Sequence, residues 1–445
     1  MPLVLVIVGG LLTAATGLVQ IRRFPAAVRF ALSGIINRKT AGGGAITPFQ
    51  ALSTALASTV GNGNIGGVAT AILIGGPGAI FWMWVCAAFG MATKYAEAVL
   101  GVHFRVRRDT GELASGPMYY ITGGIPSPAL GKSLGYAFAF FGACTALFGT
   151  GNMVQSNTVA RTFVEAARSN AGLEVPQIVP GLLITVLVGL VLLGGIRRIA
   201  AVAERIVPAM IVLYVAMAGL FLLMNIGQVP HVLGLIFGGA FTPSAAVGGF
   251  AGATMAQVVA AGVSRGVLSN EAGLGSAPIA HGIAEVQHPA EQGAVGIFEV
   301  FIDTIVVCSL TAFVILSSGL WMDPAYRDAS GDLTAAALST SLPPAPVLVA
   351  VCSLLFGFST LIGWCYYGEK CFEFLFGSRM IVPYRALFTG LVLIGSVLPV
   401  PLAWAVGTLL NGFMAFPNLL GLLFLTGTVR RLTRDYFGAR AVSAQ

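Results

Sequence analysis

Apolar runs of about 18 residues or more recur along the whole chain, each long enough to cross a bilayer as an α-helix. They are separated by short polar stretches. The pattern predicts about eleven spans, near residues 3–20, 46–74, 78–101, 134–166, 177–196, 204–226, 248–265, 294–321, 346–367, 383–400 and 402–428. The short alternating segments of a membrane β-barrel are absent. The longest hydrophilic stretches lie near 102–133, 266–293 and 322–345, and the residues from 430 to 445 read as a short basic, polar tail.

One span breaks the pattern near its middle. Gly61-Asn62-Gly63-Asn64 puts four weak helix formers between apolar flanks. Open backbone at membrane depth is tolerated only where it lines a buried or wet cavity. There the freed N–H groups suit an anion and the freed carbonyls a cation, each reinforced by a helix-half dipole. An inverted-repeat transporter would carry a second break five spans later. That position is Gly248 to Gln257, where Gly248, Gly249 and Gly252 crowd one end and Thr254 and Gln257 follow. Spans 2–6 (about 46–226) and 7–11 (about 248–428) then form two five-helix halves of opposite orientation. Residues 1–45 supply an extra N-terminal helix and a basic cytoplasmic linker. The expected fold is an all-α polytopic membrane protein, a 5+5 inverted repeat with discontinuous helices plus that extra helix.

Composition agrees. The chain is 56% hydrophobic and 9% charged, against about 25% charged residues in a soluble domain. The net charge of +7 comes from short basic clusters between spans, so it reports topology and not a nucleic-acid surface. With the N-terminus outside, all of the 24 Lys and Arg except Arg161, Arg168 and Arg327 fall on the cytoplasmic side. This puts the C-terminus in the cytoplasm. The six cysteines form no CxxC and lie in or beside apolar segments, as packing residues do. The first span lacks the basic start and cleavage site of a secretory signal. No GxxxxGK[ST] loop points to ATP.

Several motifs together identify a family. "GNGNIGGVATAI" (61–72), "GPMYYI" (116–121), "GNMVQSN" (151–157), "SRGVLSNEAGLGSAP" (264–278), "FIDT" (301–304) and "GWCYYGEKCFEFLFG" (363–377) occur in this order. The chain resembles the alanine/glycine:cation symporters, the sodium:alanine symporter family, within the leucine-transporter fold. That resemblance implies uptake of a small neutral amino acid driven by sodium, or by protons in some members, with no covalent chemistry and no prosthetic group.

The candidate residues follow from the ligands. A zwitterion needs donors at its carboxylate. We expect the backbone N–H groups of Gly61, Asn62 and Gly63 to supply them, helped by Thr59. Gly61 and Gly63 allow close approach. Gln155 in "GNMVQSN" fits a ligand role, strengthened by the resemblance, or a polar interhelical contact. A bare Na⁺ needs several oxygens. The resemblance points to the carbonyls of Ala57 and Val60 with the hydroxyls of Ser359 and Thr360, and to Asn64 at a second sodium site. Trp364, Phe250 and Met255 are candidate walls that admit alanine, glycine or serine. Glu299 and Asp303 are intramembrane carboxylates, hence functional candidates. Glu299 reads as a gate residue paired with Arg265 or another basic loop residue, and Asp303 as an ion-coupling group. Lys94 and Glu97 read as a local pair. Arg265, Asn270 and Glu271 read as a cytoplasmic gate, or as an ordinary capped loop.

The expected mechanism is alternating access, with spans 2, 3, 7 and 8 rocking against the remainder as sodium and amino acid bind. A same-fold transporter of another substrate, an ion channel, a membrane hydrolase and a non-transporting sensor are the alternatives. The four histidines lie in or near predicted loops, which disfavours the hydrolase.

Overall fold

The computed structural model describes residues 2–36, 45–108, 111–241, 254–326 and 330–442. Nearly all of it is helical, and the strands among the described residues form one short ladder, Val106–Arg107 against Leu113–Ala114. Among the described residues, seven helical stretches are long and apolar enough to cross a bilayer: Gly78–His103, Pro128–Arg168, Gly195–Met224, Pro289–Ser318, Ala345–Phe376, Ser378–Val397 and Trp404–Gly438. Shorter apolar helices, among them Pro2–Ala15, Gly63–Gly75 and Ile178–Leu192, account for other expected spans.

The packing follows the inverted repeat. The Gly78–His103 helix packs on Pro289–Val300, its counterpart five spans on. The Ala345–Phe376 helix packs on Pro128–Phe148 and Met153–Ala171, and Ile178–Leu192 on Ile381–Val397. Small residues permit this closeness. A Cβ on Gly293 would come within 2.8 Å of the Tyr95 ring, and one on Gly262 would strike the Ala79 carbonyl. Large side chains such as Leu182, Val186 and Leu190 stay exposed on the outer face, where lipid replaces water.

Three local expectations are revised. The stretch read as a span at 134–166 is two helices, Pro128–Phe148 and Met153–Ala171, joined by a jog at 149–152. Gly151 there lies flat on Trp364, where a Cβ would sit 2.6 Å from the indole. The basic linker contains a helix, Phe24–Ile36. The C-terminal tail continues the Val400–Val442 helix. It is docked by Tyr95 Oη to Thr433 Oγ1 (2.9 Å), and Arg23 lies over the Phe437 ring. The second discontinuity expected at Gly248–Gln257 is described only from Thr254 onward. Residues 242–253 lie outside the described residues, but from Met255 the helix runs unbroken to Asn270. Its start is an ordinary capping box of Thr254 and Gln257. The chain opens at Glu271–Ala277. Glu271 (φ 57°), Gly273 (φ 90°) and Gly275 (φ 83°) all adopt left-handed conformations there. Pro278 then starts a new turn, Pro278–His281.

Buried charges lock this region. Glu299 accepts from Lys94 Nζ at 3.1 Å and from His281 Nε2 at 2.8 Å. Gln292 donates to His281 Nδ1 at 2.6 Å, which leaves the ring proton on Nε2, facing the carboxylate. All four side chains are fully buried. Glu299 therefore pairs with Lys94 and His281, not Arg265, and Lys94 does not pair locally with Glu97. Removing one partner strands a buried charge, which costs about 3–5 kcal/mol. Lys94→Ala should lower the thermal unfolding midpoint in detergent sharply. Lys94→Met combined with Glu299→Gln, which removes both charges, should recover most of that loss.

Candidate functional site

The helix Pro48–Thr59 stops because its next N–H groups turn elsewhere. Gly61 N donates to Asn64 Oδ1 (2.9 Å) where a regular helix would return to Ala57 O. Asn64 N bonds Gly61 O (3.0 Å) where it would return to Val60 O. The carbonyls of Ala57 and Val60 thus lose their helical partners. A π-helical segment, Gly63–Gly67, restarts the coil. Such segments concentrate at functional sites.

A small cavity lies against this break. Ser58, Thr59, Gly61, Gly63, Thr150, Val154, Gln155, Leu268, Glu271, Thr360, Trp364 and Trp404 line it, around a free space of about 20 Å³. That volume holds about one water, so an amino acid must spread the walls. Gln155 is the nearest movable wall. Its Oε1 accepts from Asn62 N and Asn62 Nδ2, both at 3.2 Å, and its Nε2 donates to Thr150 O. The Asn62 side chain points away from the cavity. Ser353 Oγ donates to its Oδ1 at 2.7 Å, and its amide packs on Gly357. Thr360 Oγ1, bonded to Phe356 O, presses on the break so closely that a Cβ on Gly61 would meet it at 2.6 Å.

The structure brings Thr59, Gly61, Gly63, Gln155, Thr360 and Trp364 together around this space. Ser359 is buried beside them but bonds Phe356 O and contacts Met210 Sδ. Met255 is at the far end of its helix and does not line the cavity. Phe250 lies outside the described residues.

Asn64 links both halves. Its Nδ2 reaches Asp303 Oδ1 (2.7 Å) and Ser269 Oγ (3.0 Å). Asp303 also accepts from Ser269 Oγ (2.8 Å) and Thr304 Oγ1 (2.7 Å) and is fully buried in a second π-helical segment, Phe301–Cys308. All of these donors are neutral. No described Lys or Arg forms an ion pair with Asp303, although a buried carboxylate ordinarily takes a cation.

The polar stretch read as a cytoplasmic gate is interior. Asn270 is fully buried, donating to Thr304 Oγ1 and accepting from Ala272 N. Glu271 is buried and accepts from Trp364 Nε1 at 2.7 Å and from Ser276 Oγ. Arg265 sits further back on the Met255–Asn270 helix, with its guanidinium 5.1 Å above the Trp404 ring. Glu97 accepts from Gly273 N, Gly275 N and Asn418 Nδ2, so it braces the second break. Glu97, His281 and Trp404 were not foreseen. A clue existed: Gly-Leu-Gly-Ser-Ala-Pro repeats the chemistry of the first break.

The arrangement, two interrupted helices facing each other inside a polytopic bundle, defines a transporter of the leucine-transporter fold. Solved structures agree on the fold. A crystal structure of MhsT in complex with L-phenylalanine aligns with a TM-score of 0.59 at 13% identity, covering 88% of this chain and 99% of that one. The structure of Mhp1, a nucleobase-cation-symport-1 family transporter, aligns at 0.51 and 15%, covering 89% and 79%. The model of the sodium:alanine symporter family matches residues 1–445. The sodium/alanine symporter AgcS of Methanococcus maripaludis is 47% identical over 96% of this chain and 92% of its own length. The probable sodium/glutamine symporter GlnT of Bacillus subtilis is 39% identical over 94% and 83%. The chain belongs to the sodium:alanine symporter family; it is a multi-pass membrane transporter and not an enzyme.

The tightest point of the site is Gly61 against Thr360. Overpacking costs about 1–3 kcal/mol. Gly61→Ala should therefore lower the thermal midpoint, and adding Thr360→Ala should restore much of it.

Proposed function

We propose that this protein is a sodium-coupled symporter that imports a small neutral amino acid, alanine or glycine, by alternating access. The observation that carries the reading is the small cavity at the first helix break, where Gly61, Gly63, Gln155, Thr360 and Trp364 meet. The family supports amino acid and sodium as its ligands.

The substrate carboxylate takes the amides of Asn62 and Gly63, while Gly61 N stays with Asn64 Oδ1. To do so it displaces Gln155 Oε1 from Asn62 N and gains Gln155 Nε2 as a further donor. Trp364 closes over the side chain, and the small free space favours a methyl or hydrogen there. One sodium ion sits on the carbonyls of Ala57 and Val60 with Thr360 Oγ1, and Ser359 supports it by a small rotation. A second cation sits on the Asp303 carboxylate with the hydroxyls of Ser269 and Thr304, and Asn64 Nδ2 yields its place at Asp303 to it. It supplies the charge that this carboxylate lacks. Each ion ties a broken half-helix to a neighbour, so sodium binding orders the amino-acid site. Both ligands then favour the state that opens to the other side. The N-terminus is outside and the C-terminus cytoplasmic, a reading that the distribution of basic residues supports, and the membrane is the bacterial inner membrane. No prosthetic group takes part.

Uptake of labelled alanine into proteoliposomes should need an inward sodium gradient and should be competed by glycine but not leucine. Competition by glutamine as strong as by glycine would move the substrate toward that of GlnT. Thr360→Ala should raise the sodium concentration for half-maximal uptake by about tenfold, the worth of one hydrogen bond to a charged group. Asp303→Asn should weaken the sodium dependence at least as much. Uptake that follows a proton gradient and ignores sodium would overturn the sodium assignment.

A further inference from the structure

The function above leaves one carboxylate at the cavity without an ion-pair partner among the described residues. Glu271 follows the last residue of the Met255–Asn270 helix and holds a left-handed conformation, with φ 57°. Glu271 lines the cavity, and the residue is only 3% exposed. Oε1 accepts from Trp364 Nε1 and Oε2 from Ser276 Oγ. Both donors are neutral. Lys94, the buried ammonium of this region, is bonded to Glu299, and no described Lys, Arg or His forms an ion pair with Glu271.

The placement is costly in itself. The C-terminal end of a helix carries partial negative charge, and an anion there is repelled. A buried carboxylate at that end, fixed by two neutral donors, has a place for a cation. The opposite wall of the same cavity has the reverse polarity. There the coil restarts at Gly63, and the N-terminus of a helix attracts an anion. A zwitterion lying across the cavity would meet a positive field at one end and a negative one at the other.

We propose that the Glu271 carboxylate is the counter-charge for the α-ammonium of the substrate, held in line by the Trp364 indole N–H and the Ser276 hydroxyl. This rests on the amino-acid reading above and deepens it: the transporter selects a protonated amine, not merely a small acid. Trp364 then has two tasks, walling the side chain and aiming the carboxylate. Each Glu271 oxygen uses one acceptor site on its present donor and keeps another for an ammonium hydrogen. L-Lactate, in which hydroxyl replaces ammonium, keeps the carboxylate and methyl group of alanine but offers Glu271 no positive charge.

The test compares equilibrium binding of alanine and L-lactate to the purified full-length protein in detergent with saturating sodium, and of ²²Na⁺ alone. Wild type should prefer alanine to lactate by at least about 100-fold, the scale of a buried charge pair. Glu271→Gln should weaken alanine by about 100-fold, leave lactate within about threefold and keep ²²Na⁺ binding, so that the preference collapses. Glu271→Asp keeps the charge and should retain most of the preference. Retained ²²Na⁺ binding in each variant shows that it is folded. Equal losses of alanine and lactate in Glu271→Gln would make Glu271 a structural residue and overturn the proposal. So would abolished ²²Na⁺ binding in Glu271→Gln with Glu271→Asp restoring it, since that would make the carboxylate a sodium ligand. If wild type binds none of alanine, glycine, serine or glutamine, the amino-acid reading itself fails, and the proposal with it. An amino acid bound by wild type with an unchanged preference in Glu271→Gln overturns the Glu271 assignment alone.

Discussion

Unpaired backbone inside a membrane is the constraint on which this structure depends. Two helices stop in the interior, and each break leaves N–H and C=O groups that water cannot reach. The chain answers each with a polar side chain from elsewhere. Asn64 accepts from Gly61 N and passes the connection to Asp303. Glu97 accepts from Gly273 N and Gly275 N, and Asn418 bonds both Glu97 and Gly273 O. These bridges cross from one repeat to the other. A ligand that takes over any of their atoms acts on the packing of the two halves, and this is the physical basis for coupling binding to movement.

Charge placement sharpens the point. Glu299 has Lys94 and His281 and is a structural lock. Among the described residues, the hydrogen-bond donors to Asp303 and Glu271 are all neutral. Carboxylates so buried cost free energy unless something positive arrives. Two such groups, one beside each break, fit a transporter that moves cations together with a protonated amine. The packed network thereby separates groups that hold the protein together from groups that await a ligand.

Much of this was legible in the sequence, and the exceptions have physical causes. Hydropathy and the Gly-Asn-Gly-Asn break disclosed the membrane-spanning class, the first discontinuity and most of the residues that gather beside it. The opening at Glu271–Ala277 was not read from the sequence, because the glycines at 248–252 weaken a helix on paper more than Glu271–Ala277 does. Nothing local reveals that the polar stretch "SNEAGLGSAP" is interior. Its polarity reads as a loop, and only tertiary contacts with Glu97, Trp364 and Thr304 satisfy it. The partners of Glu299 were missed for the same reason: Lys94 and His281 lie far away in sequence, and His281 sat in a predicted loop. Tail and linker helices were missed because their apolar faces are short and meet neighbours such as Tyr95 only in the fold.

The central claim is that sodium and amino acid meet at one pair of helix breaks, so that each strengthens the other's hold. Reciprocal equilibrium binding on the purified protein tests it directly: the dissociation constant of alanine as sodium is raised, and that of ²²Na⁺ as alanine is raised. The account predicts that both fall, and by the same factor, as linkage between two sites demands. Alanine affinity that stays constant from zero to saturating sodium would contradict it.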